Sequence, residues 1–82
     1  MKIVWDEPKR LANLAKHGFD FALLDDDFFM SAVVQPAKSN RFKAIGRFAD
    51  GSIAVIFARL GNEGVSVISM RTASPEERKS LK

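Results

Sequence analysis

The sequence holds one histidine, no cysteine and no tyrosine, beside 13 lysines and arginines. That inventory decides much of the available chemistry. With His17 alone, one chain cannot build a two-histidine acid–base pair. The lack of cysteine removes disulfides, thiolate metal centres and a thiol nucleophile, a usage compatible with the cytoplasm. Asp25, Asp26 and Asp27 are consecutive, so on a helix they point about 100° apart and cannot chelate one ion together. No ligand set for a metal results, and no cofactor is expected. The stretch GNEG at 61–64 matches a G-x-x-G clamp only superficially, lacks basic residues and reads as a turn. One reaction class needs none of these groups. Cleavage of RNA by its own 2′-hydroxyl requires a proton acceptor, a proton donor and cations on the phosphate, with charge stabilisation usually the largest contribution.

Residues of those types are present. Lys16 and His17 fall in the last turn of a helix, whose C-terminus favours their charged forms by ~0.3–1 kcal/mol. That placement serves dipole complementation as well as proton donation. Arg71 ends the apolar stretch VISM, just before a helix start at Ser74. Arg41, Lys43 and Arg47 recur at strand spacing. Arg59 ends another apolar run, and Glu77 and Arg78 open the last helix.

The elements that must position these side chains follow from pattern and punctuation. Lys2 to Trp5 reads as a short strand. Asp6 reads as an N-cap before Glu7 and Pro8, and Gly18 as an αL helix end. Leu11, Leu14 and Ala15 recur at helical spacing between them. Asp20 caps a second helix with Phe21, Leu24 and Phe28 on one face, so KHGFDF is a tight helix–helix corner. Ser31 to Gln35 is a weak strand stopped by Pro36. Residues 41–49 alternate, Asp50-Gly51 is a two-residue hairpin signal, and residues 52–60 return. A second hairpin at 61–64 leads into VSVISMR. Ser74-Pro75-Glu76-Glu77 then forms a capping box. The order β-α-α-β-β-β-β-α is an α+β domain spanning 1–82: an antiparallel meander backed by two N-terminal helices, with a short C-terminal helix.

With the turn at Asp50-Gly51, Phe48 faces Ile53 and Arg47 faces Ala54; the second loop pairs Val55 with Met70 and Ala54 with Arg71. Phe42, Phe48, Val55, Phe57, Ile68 and Met70 then form the core face. Arg41, Lys43, Arg47, Ser69 and Arg71 share the other, open face. Arg47 and Arg71 stand two strands apart, about 9–10 Å between backbones, and long guanidinium side chains converge over Ala54 on one phosphate. Free N–H groups at the last helix's start add a second anion-attracting element. Arg59 falls on the core-facing side, so its place is the sheet's edge beside the helix corner.

Bulk properties set the frame. The formal charge is +3 and the pI about 9.6, a mild pointer to a polyanionic partner. Four aspartates without a base lie between Asp20 and Asp27, and three bases without an acid between Lys38 and Lys43. Two patches of opposite sign suit two different partners, and equally a solvated surface. The longest apolar run, Ile53 to Ala58, is far short of the ~20 residues that span a bilayer, and the N-terminus has no signal-peptide core.

Taken in order, VWDEPK at 4–9, NLAKHG at Asn13 to Gly18, Phe21 and Phe28, RFKAIG at Arg41 to Gly46, Arg59 closing IAVIFAR, VISMRTA at Val67 to Ala73, and Glu77-Arg78 resemble the BrnT-type toxins of bacterial type II toxin–antitoxin pairs. The resemblance covers almost the whole chain. It implies a RelE-like ribonuclease fold and an RNA-cleaving toxin that stops translation. It also implies a BrnA-like antitoxin that wraps the toxin in a hetero-oligomer and binds operator DNA, which the toxin reaches only through that partner. Carried over by position, Lys16, His17, Arg59, Arg71, Glu77 and Arg78 fall on the family's charged positions. Arg59 and Arg71 are the choice for the phosphate, and His17 or Lys16 for proton transfer. Arg41, Lys43 and Arg47 add an RNA-binding surface. Three features depart from the family. Leu81 stands where a tyrosine is common, Ala22-Leu23-Leu24 follow Phe21 where acidic residues are usual, and the loop at Pro36 to Asn40 looks shortened. The alternative these departures imply is a weakened or inactive relative that acts as an antitoxin-binding or RNA-binding module.

Overall fold

A computed structural model describes residues 1–81. Strand β1 (Lys2–Trp5) ends at Asp6, whose carboxylate accepts from the Lys9 N–H at 3.3 Å and starts helix α1 (Glu7–His17). Gly18 closes that helix at φ 77°, a left-handed conformation that suits glycine, and its N–H reaches the Leu14 carbonyl at 2.9 Å. Strands β2 (Val33–Pro36), β3 (Phe42–Phe48), β4 (Gly51–Leu60) and β5 (Gly64–Thr72) follow, then helix α3 (Pro75–Arg78) and a 3₁₀ turn at Lys79–Leu81. Pro36 is tolerated because β2 is an edge strand.

The second helix is broken in two. Asp20 caps only a 3₁₀ turn, Phe21–Leu23, by accepting from the Ala22 N–H at 2.9 Å. Leu24 then returns to extended backbone, and Asp25 caps a fresh helix, α2 (Asp26–Ser31), through the Phe28 N–H at 2.9 Å. Two aspartates five residues apart each offer an N-cap, and both are used. Phe21, Leu24 and Phe28 are buried together all the same.

The sheet is mixed rather than an antiparallel meander. Its order is β1-β5-β4-β3-β2; β2 to β5 form the meander, while β1 pairs parallel with β5 from Lys2↔Gly64 to Trp5↔Val67. Nothing local to Lys2–Trp5 announces a partner so far along the chain. The first hairpin turns one residue earlier than Asp50-Gly51 suggests. Ala49 and Asp50 form the loop, Ala49 takes φ 54°, and Phe48 pairs with Gly51. Every β3–β4 partner therefore moves by two residues, which preserves the faces because side chains alternate with period two. Between β4 and β5 the pairs Val55↔Met70 and Ala54↔Arg71 are as expected. A bulge between Ile56 and Phe57 then leaves Ile68 without a partner. Past it, Val67 and Val65 enter the core, and Ile68 does not.

Helices α1 and α2 and the 3₁₀ turn between them cover one face, where Phe21, Phe28, Val55, Val67 and Met70 pack. Gly46 lets Phe28 lie close against β3, since a Cβ there would meet the Phe28 ring at 2.9 Å. The apolar stripe of α1 lies outward: Leu11, Leu14 and Ala15 are exposed. The buried residue of α1 is Asn13, 7 % exposed. Its side-chain NH₂ donates to the carbonyls of Met70 (2.9 Å) and Phe19 (3.2 Å), and its oxygen accepts from the Met70 N–H at 3.1 Å. Arg10 secures the helix corner by donating to Glu7 and, at 3.1 and 3.2 Å, to both oxygens of Asp20. Hydrogen bonds from Arg10 first, then from the Trp5 indole, hold the Glu7 carboxyl down at about 2. No helix among the described residues is long and apolar enough to cross a membrane.

Replacing Asn13 with leucine orphans both Met70 backbone groups. The expected cost is about 1–3 kcal/mol for each, read as a lowered midpoint in urea unfolding. Gly46→Ala is expected to cost about 1–3 kcal/mol by forcing Phe28 or the strand to shift, read in the same titration; an unchanged midpoint would contradict the close approach.

Candidate active site: a carboxylate held between two cations

The second face of the sheet is not open. Ile45 and Ala54 are completely buried on it; the 3₁₀ turn at Lys79–Leu81 packs against β3 there, and α3 reaches the sheet through Glu77. At its centre lies the Glu77 carboxylate. Arg71 grips it with both ends of its fork, Nη1 to Oε1 at 2.8 Å and Nη2 to Oε2 at 2.9 Å. Lys43 Nζ reaches Oε2 at 2.8 Å from β3. The Glu77 side chain is only 9 % exposed, while those of Lys43 and Arg71 are 25 % and 35 % exposed. The paired cations thus still face solvent on one side.

Local chemistry explains how Glu77 comes to be there. Ser74 caps α3 by accepting from the Glu77 N–H at 3.1 Å, and Glu77 Oε1 accepts from the Ser74 N–H at 2.9 Å. That reciprocal box bends the side chain back toward the end of β5, where Arg71 waits. It also takes up the Ser74 and Glu77 N–H groups at the helix start, which are therefore not offered to an outside anion. The bidentate hydrogen bond from Arg71, with Lys43 and the Ser74 N–H assisting, holds the Glu77 carboxyl far below the usual glutamate range. The same pairing raises the Arg71 guanidinium.

Three more cations border this pair. Arg47, on β3, donates to the carbonyl of Leu81 at 3.4 Å, so the position of the departing Leu81 lies over that strand. Arg78 donates to the Ala73 carbonyl at 3.0 Å and is otherwise exposed. Arg41 is exposed just before β3. Arg71 and Arg47 therefore do not converge over an empty Ala54: Arg71 is turned to Glu77, and Arg47 pairs across the sheet with Ser52.

The remaining candidates stand elsewhere. Lys16 and His17 occupy the last turn of α1. Phe19, just beyond, packs edge-on against Phe48 with ring centres 6.1 Å apart. That puts the corner at the Arg47–Arg71 end of the sheet, but on its helix side. Arg59 is at the opposite end. It pairs with Val65, six residues before Arg71 and hence about 20 Å away along β5. Its guanidinium lies over the Phe42 ring, 5.2 Å from the centre, on the helix face. Arg59 thus reaches the helix side of the sheet as expected, but not the helix corner.

Sequence reading explains the place of Glu77 by its capping box, carries it over by resemblance as a charged family position, and misses its bridge to Lys43 and Arg71. A signal was present. A glutamate at the third helical position must point back toward its cap, and Arg71 precedes that cap by only three residues.

Chemically, the cluster is an anion site already occupied by the protein's own carboxylate. Because folding lowers the Glu77 pKa from 4.5, its stabilisation is complete above that value and is lost as pH falls below it. Glu77→Gln is expected to cost about 1–2 kcal/mol at pH 7, given the partly exposed cations. It is also expected to flatten the acid-side fall of the melting temperature below pH 4.5; parallel curves for the two proteins would refute the assignment.

Comparison with known proteins fits this architecture. A family model described as "Ribonuclease toxin, BrnT, of type II toxin-antitoxin system" matches residues 5–77. The chain is 60% identical to the Brucella abortus ribonuclease toxin BrnT in its crystal structure, with a TM-score of 0.85 over 90% of this chain and 97% of that one. No curated protein matches. With a family match over most of its length and that identity, the chain belongs to the BrnT family of ribonuclease toxins of type II toxin–antitoxin systems.

Proposed function

We propose that this protein cleaves RNA without a metal, using the Lys43–Glu77–Arg71 cluster to hold the scissile phosphate. The single observation that carries the reading is the pair of partly exposed cations, from two different strands, aimed at one carboxylate-sized position. Arginine's planar fork donates to phosphate oxygens as it donates to Glu77, and it stays charged throughout. Arg47, Arg78 and Arg41 extend the positive surface along the RNA backbone. In this reading Glu77 is a positioning residue. Its lowered pKa makes it a poor proton acceptor but a firm brace for both cations. Proton transfer belongs in this reading to His17 or Lys16, which stand at the same end of the sheet but on its helix side, so the RNA must pass around that end to meet them. The fold is RelE-like in this reading. The protein acts in the cytoplasm, inhibits translation by cutting RNA, and is neutralised by a BrnA-like antitoxin that carries the operator-DNA contacts of their complex.

Leu81 supports a second reading, in which the chemistry is weakened and antitoxin binding is retained. Its backbone carbonyl takes Arg47, and leucine brings no hydroxyl to a position where the family resemblance leads one to expect tyrosine.

The test is cleavage of purified RNA in excess EDTA, together with growth on induced expression. Wild type is expected to cleave and to arrest growth; Arg71→Ala should lose about 10²–10³-fold in rate and permit growth. Loss of wild-type cleavage in EDTA would overturn the metal-free mechanism. Equal rates for the two proteins would overturn the role of Arg71. Failure of both to cleave, with the neighbouring gene product still bound, would establish the second reading.

A further inference from the structure

The helix layer stops short of one end of the sheet. α2 has only six residues, and past it Phe29 and the buried Phe57 and Val65 form the floor of a concavity. The result is a groove of about 940 Å³, roofed by no element. Its rim carries large apolar side chains left in water: Met30 is 82 % exposed, Met1 50 % and Val34 44 %. Scattered apolar residues are ordinary on a surface, but several around one concave floor mark a contact site. Charge adds a second observation. Lys2 and Arg59 line this groove, and neither makes an ion pair among the described residues. Arg59 is steadied over Phe42, leaving its N–H edge for a partner. Against them stands one lining acid, Glu63, also without a pair.

We infer that this groove is the docking site of the antitoxin, taking an apolar segment that carries a carboxylate for Arg59. The inference rests on the reading of the chain as a toxin with such a partner. It removes Arg59 from the phosphate cluster, since Arg59 lies on the opposite face of the sheet and about 20 Å from Arg71 along β5. A second copy of the chain fits less well. A twofold contact presents the patch to itself, and would set Arg59 and Lys2 against the same excess of cations. Docking here leaves the Lys43–Arg71 face uncovered by this segment, so antitoxin binding and RNA chemistry become separable by mutation.

The test titrates the protein encoded by the neighbouring open reading frame into wild type, Met30→Asp and Arg59→Glu, with RNA cleavage assayed alongside. Met30 is so exposed that its replacement leaves folding and cleavage unchanged. Both variants are expected to weaken binding about tenfold or more, and an acid-to-lysine change in the partner segment to restore Arg59→Glu. Wild-type affinity in both variants would overturn the groove while leaving the nuclease reading intact. Weaker RNA binding by Arg59→Glu, with the partner still bound normally, would give the groove to RNA and also overturn the proposal. A wild-type protein that neither cleaves RNA nor binds the neighbour would instead fail the functional reading, and the docking site with it.

Discussion

Asn13 joins the two halves of the molecule. β1 ends at Trp5, opposite Val67, so the outer edge of β5 has no strand to pair with beyond that point. A bare edge with a buried N–H and C=O is costly. Asn13 answers both groups of Met70 with one side-chain amide, as a neighbouring strand would. Its third bond, to the Phe19 carbonyl, ties the turn after α1 to the same place. α1 is thereby pinned to β5 at the residue immediately before Arg71. The helix layer and the cation cluster occupy opposite faces, yet they share this fixed point.

That arrangement explains why α1 misleads on inspection. Leu11, Leu14 and Ala15 have the spacing of an inward stripe, and Asn13 looks like a surface residue among them. Periodicity reports apolar content, whereas the edge of β5 demanded a donor and an acceptor. The strands and caps were easier to read, because their causes are local: Asp6, Gly18, Ser74 and the alternation of β3 to β5 each act within a few residues. The parallel β1–β5 pair, the bulge at Ile68 and the shortened α2 were not readable. Each depends on a partner far along the chain or on competition between two caps. The face assignment survived a misplaced turn only because the error was two residues and not one.

The candidate site was readable in part for the same reason. Arg71, Lys43 and Arg47 fall on one face by alternation alone. Glu77's place between two of them arises from tertiary packing of α3 on that face, and Arg59's separation from them arises from strand length. Glu77 also shows how one residue can serve two ends. It completes the cap that starts α3, and it keeps two like charges close together that would otherwise repel. The cluster is stable because its inner side is already filled by a carboxylate held by three groups, while the cations keep a solvent-facing side.

The parallel pairing of β1 has a consequence for the order in which the chain is made. β1 is synthesised first, but its neighbour in the sheet, β5, comes some sixty residues later. Closing so long a loop is entropically slow and must await the distant strand. Asn13 waits as well, since Met70 belongs to β5. A polypeptide cut short before Gly64 therefore lacks the partner of its first strand, the anchor of its first helix, and Arg71 itself. An interrupted round of synthesis yields a fragment that cannot complete the sheet.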